Sequence, residues 1–297
     1  MITKLRHLTC FLAVLATCQV AWAAPLRVVT LHTVLTEIAQ KVGGDQVEVV
    51  ALLKPGVDPH AFEPVPADIR RLQQADLVLA AGLGLETYLD RLAPEIRSGR
   101  LIRIGDDLPD LIEGSCDHEH HDHTHYLDPH WWHGVPQMLA AVDRVRQELS
   151  ALRPESSAGF DQRAAEYRTR LESLQDWIQT EFAVIPGERR QLITSHDAFG
   201  YLAHGHGFAV HPLLGSTTAA EADARQVARI VRLIQRRGIR TVFAESSVNP
   251  RLVEAIVRDT AAKLGPPLYA DGLGTGDAAT YEGMMRHNIT AIVSGLR

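Results

Sequence analysis

The 297-residue chain is 45% apolar and 22% charged, the balance of an ordinary soluble globular protein, which excludes general disorder and, at this length, a disulfide-stapled miniprotein. A formal charge of −6 with Lys and Arg scattered along the chain excludes the dense basic face that nucleic-acid binding requires, so no nucleic-acid partner is expected. The distinctive resource is imidazole: there are 15 histidines, five of them between His118 and His125.

The first 23 residues join a basic start (Lys4, Arg6), an apolar run from Leu8 to Val20 and the small-x-small pattern Ala21-Trp22-Ala23, which reads as a cleaved secretory signal peptide. The run is shorter than the roughly 20 residues of a membrane-spanning helix. Lipidation at Cys18 is the alternative, weakened by the bulk of Thr17. Cleavage removes Cys10 and Cys18 and leaves Cys116 alone, so no internal disulfide is expected in an oxidising compartment.

From Leu26 short β-branched runs alternate with amphipathic stretches. Strands are expected at Val28-Val29, Val47 to Val50, Leu77 to Ala81 and Leu101 to Ile104, with helices over Val34 to Val42, Ala67 to Ala75 and Leu85 to Ile96. After Pro136, residues Met138, Val142, Val145 and Leu149 recur at helical spacing and close the first lobe. Ser156 to Phe182 reads as one long helix burying Phe160, Tyr167, Leu171, Leu174 and Ile178. The alternation then resumes, with strands near Gln191 to Thr194, Ala209 to Pro212, Thr241 to Ala244 and Pro267 to Ala270. The expected fold is α/β: two lobes, each with a roughly four-stranded parallel sheet flanked by helices, joined by one long helix and enclosing a cleft. The expected division is signal peptide 1–23, first lobe 24–154, linking helix 155–185 and second lobe 186–297. Residues 117–125, which have no apolar side chain to bury, are expected to form a mobile loop.

Imidazole and carboxylate donors at loop ends suit a metal ion. His60 follows a predicted strand within Val57-Asp58-Pro59-His60, His130 precedes a helix within Leu127-Asp128-Pro129-His130, His196 ends the strand 192–195, and Asp271 ends 268–270. They lie 70, 66 and 75 residues apart along the chain, so they meet only if both lobes fold, and spacing alone leaves each open to a purely structural role. Glu245 either orients a ligand imidazole or is a plain loop carboxylate. Ser195, His196 and Asp197 do not make a hydrolase triad, because adjacent strand residues face opposite ways. Gly82 and Gly84, like Gly272, Gly274 and Gly276, miss the dinucleotide-loop spacing and read as turns.

At these residues the chain resembles a known family. The segments KPGVDPHAFEPVPADIRRLQQADLVLAAG, YLDPHWWHGVPQMLAAV, ITSHDAFGYLAHGHGF, TVFAESSVNPRLVEAI and MMRHNITAIVSGL are similar, in order, to periplasmic solute-binding proteins of zinc and manganese ABC transporters, of the zinc-uptake type (cluster A-I). The resemblance implies metal ligands at His60, His130, His196 and Asp271. It singles out His130 over His133, and His196 over His204, His206 and His211, which are left as surface or supporting residues. It also implies a carrier that catalyses nothing, is monomeric, and delivers Zn2+ to a membrane permease, with a periplasmic zinc chaperone as a further partner. Three imidazoles and one carboxylate favour zinc over manganese. The alternatives are a manganese carrier of the same family, or a secreted zinc hydrolase using three of these donors and a water. The loop residues His118, His120, His121, His123 and His125 resemble the variable insertion of zinc-binding members and are expected to give secondary zinc binding, with Cys116 as an extra soft donor.

Overall fold

The computed structural model describes residues 24–97, 100–114, 126–215, 224–247 and 249–297. Residues 1–23, expected to form a signal peptide, together with Cys116 and the five loop histidines, lie outside them.

Among the described residues the first lobe is built on four parallel strands, β1 (Leu26–Thr30), β2 (Val47–Ala51), β3 (Leu77–Ala80) and β4 (Leu101–Arg103), in the order β2-β1-β3-β4. Side chains alternate across the sheet, as a period of two requires. Val28, Leu77 and Leu79 enter the main core, while Val29, Val78 and Ala80 face a second cluster with Leu72, Tyr88 and Leu92. Both faces are covered because each parallel crossover lays a helix back on the sheet. These helices are α1 (Thr33–Gly43), α2 (Pro66–Gln73) and the short α3 (Leu89–Leu92).

The single helix expected over Leu85 to Ile96 is reduced to α3 and a 3-10 turn, Ala93–Glu95. Pro94 lacks the N–H an α-helix needs, and Gly82, Leu83 and Gly84 all have positive φ, which holds the approach in a left-handed loop. Glu86 fastens that loop by accepting hydrogen bonds from the amides of Ala81 (2.6 Å) and Gly82 (3.1 Å). Burial outweighs these bonds and pushes its carboxyl up to about 7.

Two long helices follow, α4 (Val135–Leu152) and α5 (Ser157–Ala183), the latter burying each of the five side chains expected from its periodicity. Leu171 is fully enclosed; Leu171→Ala is expected to destabilise the protein by about 2–5 kcal/mol, measured as a shift in urea midpoint.

The second lobe carries β5 (Gln191–Thr194), α6 (Gly200–His206), β6 (Ala209–Pro212), α7 (Ala224–Arg237), β7 (Thr241–Val242), α8 (Arg251–Asp259), β8 (Lys263–Leu264) and α9 (Tyr281–Leu296). The parallel pairs β5–β6 and β7–β8 join where the Phe243 amide donates to the Ile193 carbonyl at 2.9 Å. The last expected strand, Pro267 to Ala270, is displaced. Regular pairing falls at Lys263–Leu264, Pro266 and Pro267 interrupt it for want of amide donors, and Leu268 alone resumes it beside Glu245.

The chain then returns to the first lobe. The Tyr281 amide donates to Glu37 of α1 (2.6 Å), Tyr167 of α5 donates to the same carboxylate (3.0 Å), and the Tyr281 hydroxyl donates to the Trp132 carbonyl (2.8 Å). Helix α9 packs on α5, and Met284, Ile289 and Ile292 complete the main core.

Candidate metal centre

All four candidate residues stand beyond the C-terminal ends of parallel strands, where open α/β sheets gather ligands. Two of them use the same local device. In Asp58-Pro59-His60 and Asp128-Pro129-His130 the proline fixes φ, and the aspartate Oδ1 accepts the histidine amide two residues on, at 2.8 and 2.9 Å. These turns fix the backbone from which the rings of His60 and His130 reach one another. His196 follows the end of β5, with its amide donating to Glu245 Oε1 at 3.1 Å.

Asp271 is fixed from the first lobe. Its carbonyl accepts from His32 Nε2 (3.1 Å), the carbonyl of Ala270 accepts from Trp132 Nε1 (2.9 Å) and His133 Nε2 (2.8 Å), and the Leu273 amide donates to Thr33 Oγ1 (2.8 Å). Gly272 sits at φ +138°, and a Cβ there would meet Thr33 Oγ1 at 2.4 Å, so this close approach admits glycine alone.

The result is a convergence of donors. His60 Nε2 is 3.2 Å from His130 Nε2, and Asp271 Oδ1 is 3.1, 3.7 and 3.8 Å from the Nε2 atoms of His196, His60 and His130. One donor atom from each residue falls within 4.8 Å of every other. Four donors 2.0–2.2 Å from a common zinc would stand about 3.3–3.6 Å apart. The residues are at most 8% exposed, so an ion held here would be sealed from bulk water.

The tautomers favour a cation. His130 Nδ1–H donates to Asp128 Oδ1 (2.8 Å) and His196 Nδ1–H donates to Glu245 Oε2. In its neutral form each ring therefore turns its Nε2 lone pair inward, the arrangement by which metal-binding histidines are oriented. His196 Nε2 and Asp271 Oδ1, both buried and 3.1 Å apart, have no hydrogen-bonding partner outside the centre itself. Burial alone would lower the His196 imidazole, but the charges of Glu245 and Asp271 outweigh it and hold it well above the usual histidine value. Burial would likewise raise Asp271, yet the facing imidazoles hold it well below the usual carboxylate range. A positive charge belongs at this point.

The other histidines separate cleanly. His133, three residues after His130, is buried with its Nε2 on the Ala270 carbonyl and its ring 4.6 Å from Phe199; burial lowers it to about 4. His211 is bonded to Gln191, and His204 is exposed. Sequence reasoning overlooked His32, whose Nδ1 accepts from the Val34 amide and which burial lowers to about 3. It also overlooked Asp128, although the repeated Asp-Pro-His tripeptide was a readable signal. Glu245 proves to be an orienting carboxylate. Asp128→Ala is expected to weaken metal binding by about 10–100-fold, read by competition with a chelator.

Comparison with known proteins bears directly on this centre. Residues 28–295 match the family described as ZnuA, zinc-uptake complex component A, periplasmic. The chain belongs to that family. It is 33% identical over 285 residues to the manganese-binding lipoprotein MntA of Bacillus subtilis, covering 92% of this chain and 90% of that one. It is also 33% identical over 280 residues to the zinc-binding protein TroA of Treponema pallidum, covering 92% and 89%. The solved structure of periplasmic TroA superposes with a TM-score of 0.84 at 32% identity, over 92% of this chain and 99% of that one. As a ZnuA-family member the protein is a metal-binding substrate-binding protein that works outside the cytoplasm with the membrane permease of an ABC transporter. It is not an enzyme. Among the described residues no helix is long and apolar enough to cross a membrane.

Proposed function

We propose that this family member carries zinc: His60, His130 and His196 through Nε2, and Asp271 through Oδ1, hold one Zn2+ between the lobes, and the carrier delivers it to its permease for import. The observation carrying this reading is the inward convergence of imidazole nitrogens whose Nδ1 atoms are held by Asp128 and Glu245. Three imidazoles with one carboxylate make a borderline-soft, four-donor set that suits zinc better than the harder manganese. Copper would bind such a set strongly as well, so selectivity in the cell follows metal supply.

Manganese is the second reading, favoured by the printed name of the Bacillus subtilis relative. Metal analysis and competition titration on purified mature protein separate the two. One tight zinc equivalent, with His196→Glu shifting preference toward manganese, is the expected result. Tighter manganese than zinc binding by the unaltered protein would reverse the assignment.

In this reading residues 1–23 are cleaved as a signal peptide, 24–154 and 186–297 are the two capturing lobes, and 155–185 link them. The carrier works as a monomer, receives zinc in part from a periplasmic chaperone, and uses His118, His120, His121, His123 and His125 as a weaker secondary site.

A further inference from the structure

Between Asp223 and Glu245 the chain holds six arginines and no acidic residue. Arg229, Arg232 and Arg236 recur at intervals of three and four along α7, so they share one face and span about 10 Å of helix axis. All three are exposed, as are Arg237 and Arg240 beside them, while the opposite face of α7 buries Ile230 and Ile234 in the second lobe. Among the described residues none of these five arginines forms an ion pair, and Arg229 donates to the neutral side chain of Gln226. The adjoining α8 sets Arg251 and Arg258 against Glu254 and Asp259 and so adds no net charge. The helix dipole accounts for Arg236 and Arg237 in the last turn of α7, but not for Arg229 and Arg232 in its middle. The field reaches β6, where burial and then the charges of Arg237 and Arg229 hold His211 below the usual histidine value. In a chain of formal charge −6, this face is a local reversal of sign.

We propose that the arginine face of α7 is a docking strip for the anionic phospholipid surface around the permease. Guanidinium groups grip phosphate oxygens through paired N–H donors, and a net-negative body approaches a negative surface only by presenting a cationic side. Because Ile230 and Ile234 are held in the core of their own lobe, α7 has no apolar face to insert. The contact is therefore electrostatic, salt-sensitive and reversible, as a carrier that must leave again requires. Orientation fits this use. Gln226 Nε2 donates to the Pro212 carbonyl at 2.8 Å, at the end of β6 that lies beside the His196 end of β5. The strip thus starts on the side of the metal centre and runs away from it down the flank. Adsorption along that flank leaves the metal-centre side uncovered and confines the search for the permease to two dimensions. Nucleic acid is a poorer occupant, because the strip offers fewer cations than the roughly 6–10 phosphate contacts of a DNA-binding protein.

The test uses purified protein lacking residues 1–23, sedimented with large vesicles of phosphatidylcholine alone or mixed with phosphatidylglycerol. Binding is expected to the mixed vesicles only, and to weaken as added salt shortens the screening length from about 30 Å to about 8 Å. Joint replacement Arg229→Gln, Arg232→Gln and Arg236→Gln is expected to weaken it by at least about tenfold, with thermal midpoint and zinc affinity unchanged. The corresponding triple lysine variant, which keeps the charge, retains most of the binding. Arg70→Gln, Arg91→Gln and Arg97→Gln together remove the same charge from exposed positions of the first lobe and leave binding intact. Equal losses in the two glutamine variants, or full binding by the α7 variant, overturn the proposal. So does failure of the unaltered protein to prefer anionic vesicles, which would leave the strip to an acidic protein surface.

Discussion

Replacing any one of His60, His130 or His196 by Ala is expected to abolish tight zinc binding, while deletion of residues 117–125 leaves one tight site. Each ring is buried and supplies an Nε2 for which the surroundings offer no substitute. Among the described residues the four-residue cluster is the one grouping of this kind. Truncating a ring leaves the ion with three protein donors, the count of an open site and not of a closed one, so it is held by one protein lone pair fewer. The orienting carboxylates Asp128 and Glu245 worsen the loss, because each is left as a buried charge without its imidazole. Isothermal titration with a competing chelator reads both results. Loss of the tight site on loop deletion, with retention in the three alanine variants, would move the cargo site to the loop.

Zinc affinity is expected to fall by about tenfold for each pH unit of acidification through the neutral range, corresponding to one displaced proton. The sign follows from His196. Its imidazole titrates well above the ordinary histidine value because Glu245 and Asp271 face it. In the metal-free protein at neutral pH a proton therefore sits where the ion must bind. Acidification strengthens that competitor, and alkaline pH removes it. Asp271, held well below the usual carboxylate range, stays ionised throughout. Proton release measured on zinc addition in buffers of different ionisation enthalpy gives an independent count. A titration flat between mildly acidic and neutral pH would contradict the assignment.

Much of this molecule was legible in its residues, for identifiable reasons. The strands of the first lobe lie in short β-branched runs bounded by polar turns, and α5 declares itself through about six turns of apolar periodicity from Phe160 to Phe182. The broken helix after β3 was missed because hydrophobic spacing continues from Leu85 to Ile96, while Pro94 and the left-handed Gly82-Leu83-Gly84 loop decide the backbone. The shift of the last strand has the same origin in Pro266 and Pro267. In the centre, residue type and position at strand ends marked the four candidates, but nothing local ranked His130 above His133. That choice depends on where the rings point once Ala270 and Phe199 are in place. His32 could not be found from the chain, since it acts on Asp271, 239 positions away.

The long intervals between the four donors have a consequence for how the molecule is made. With 70, 66 and 75 residues separating His60, His130, His196 and Asp271, no nascent or extended stretch of polypeptide offers more than a single member of the set. Tight capture therefore awaits completion of the whole tertiary structure, and occupancy reports on successful assembly. Once present, the cargo draws the population away from unfolded forms by an amount that grows with its free concentration. Resistance to heat and proteases should thus track how well supplied the surroundings are.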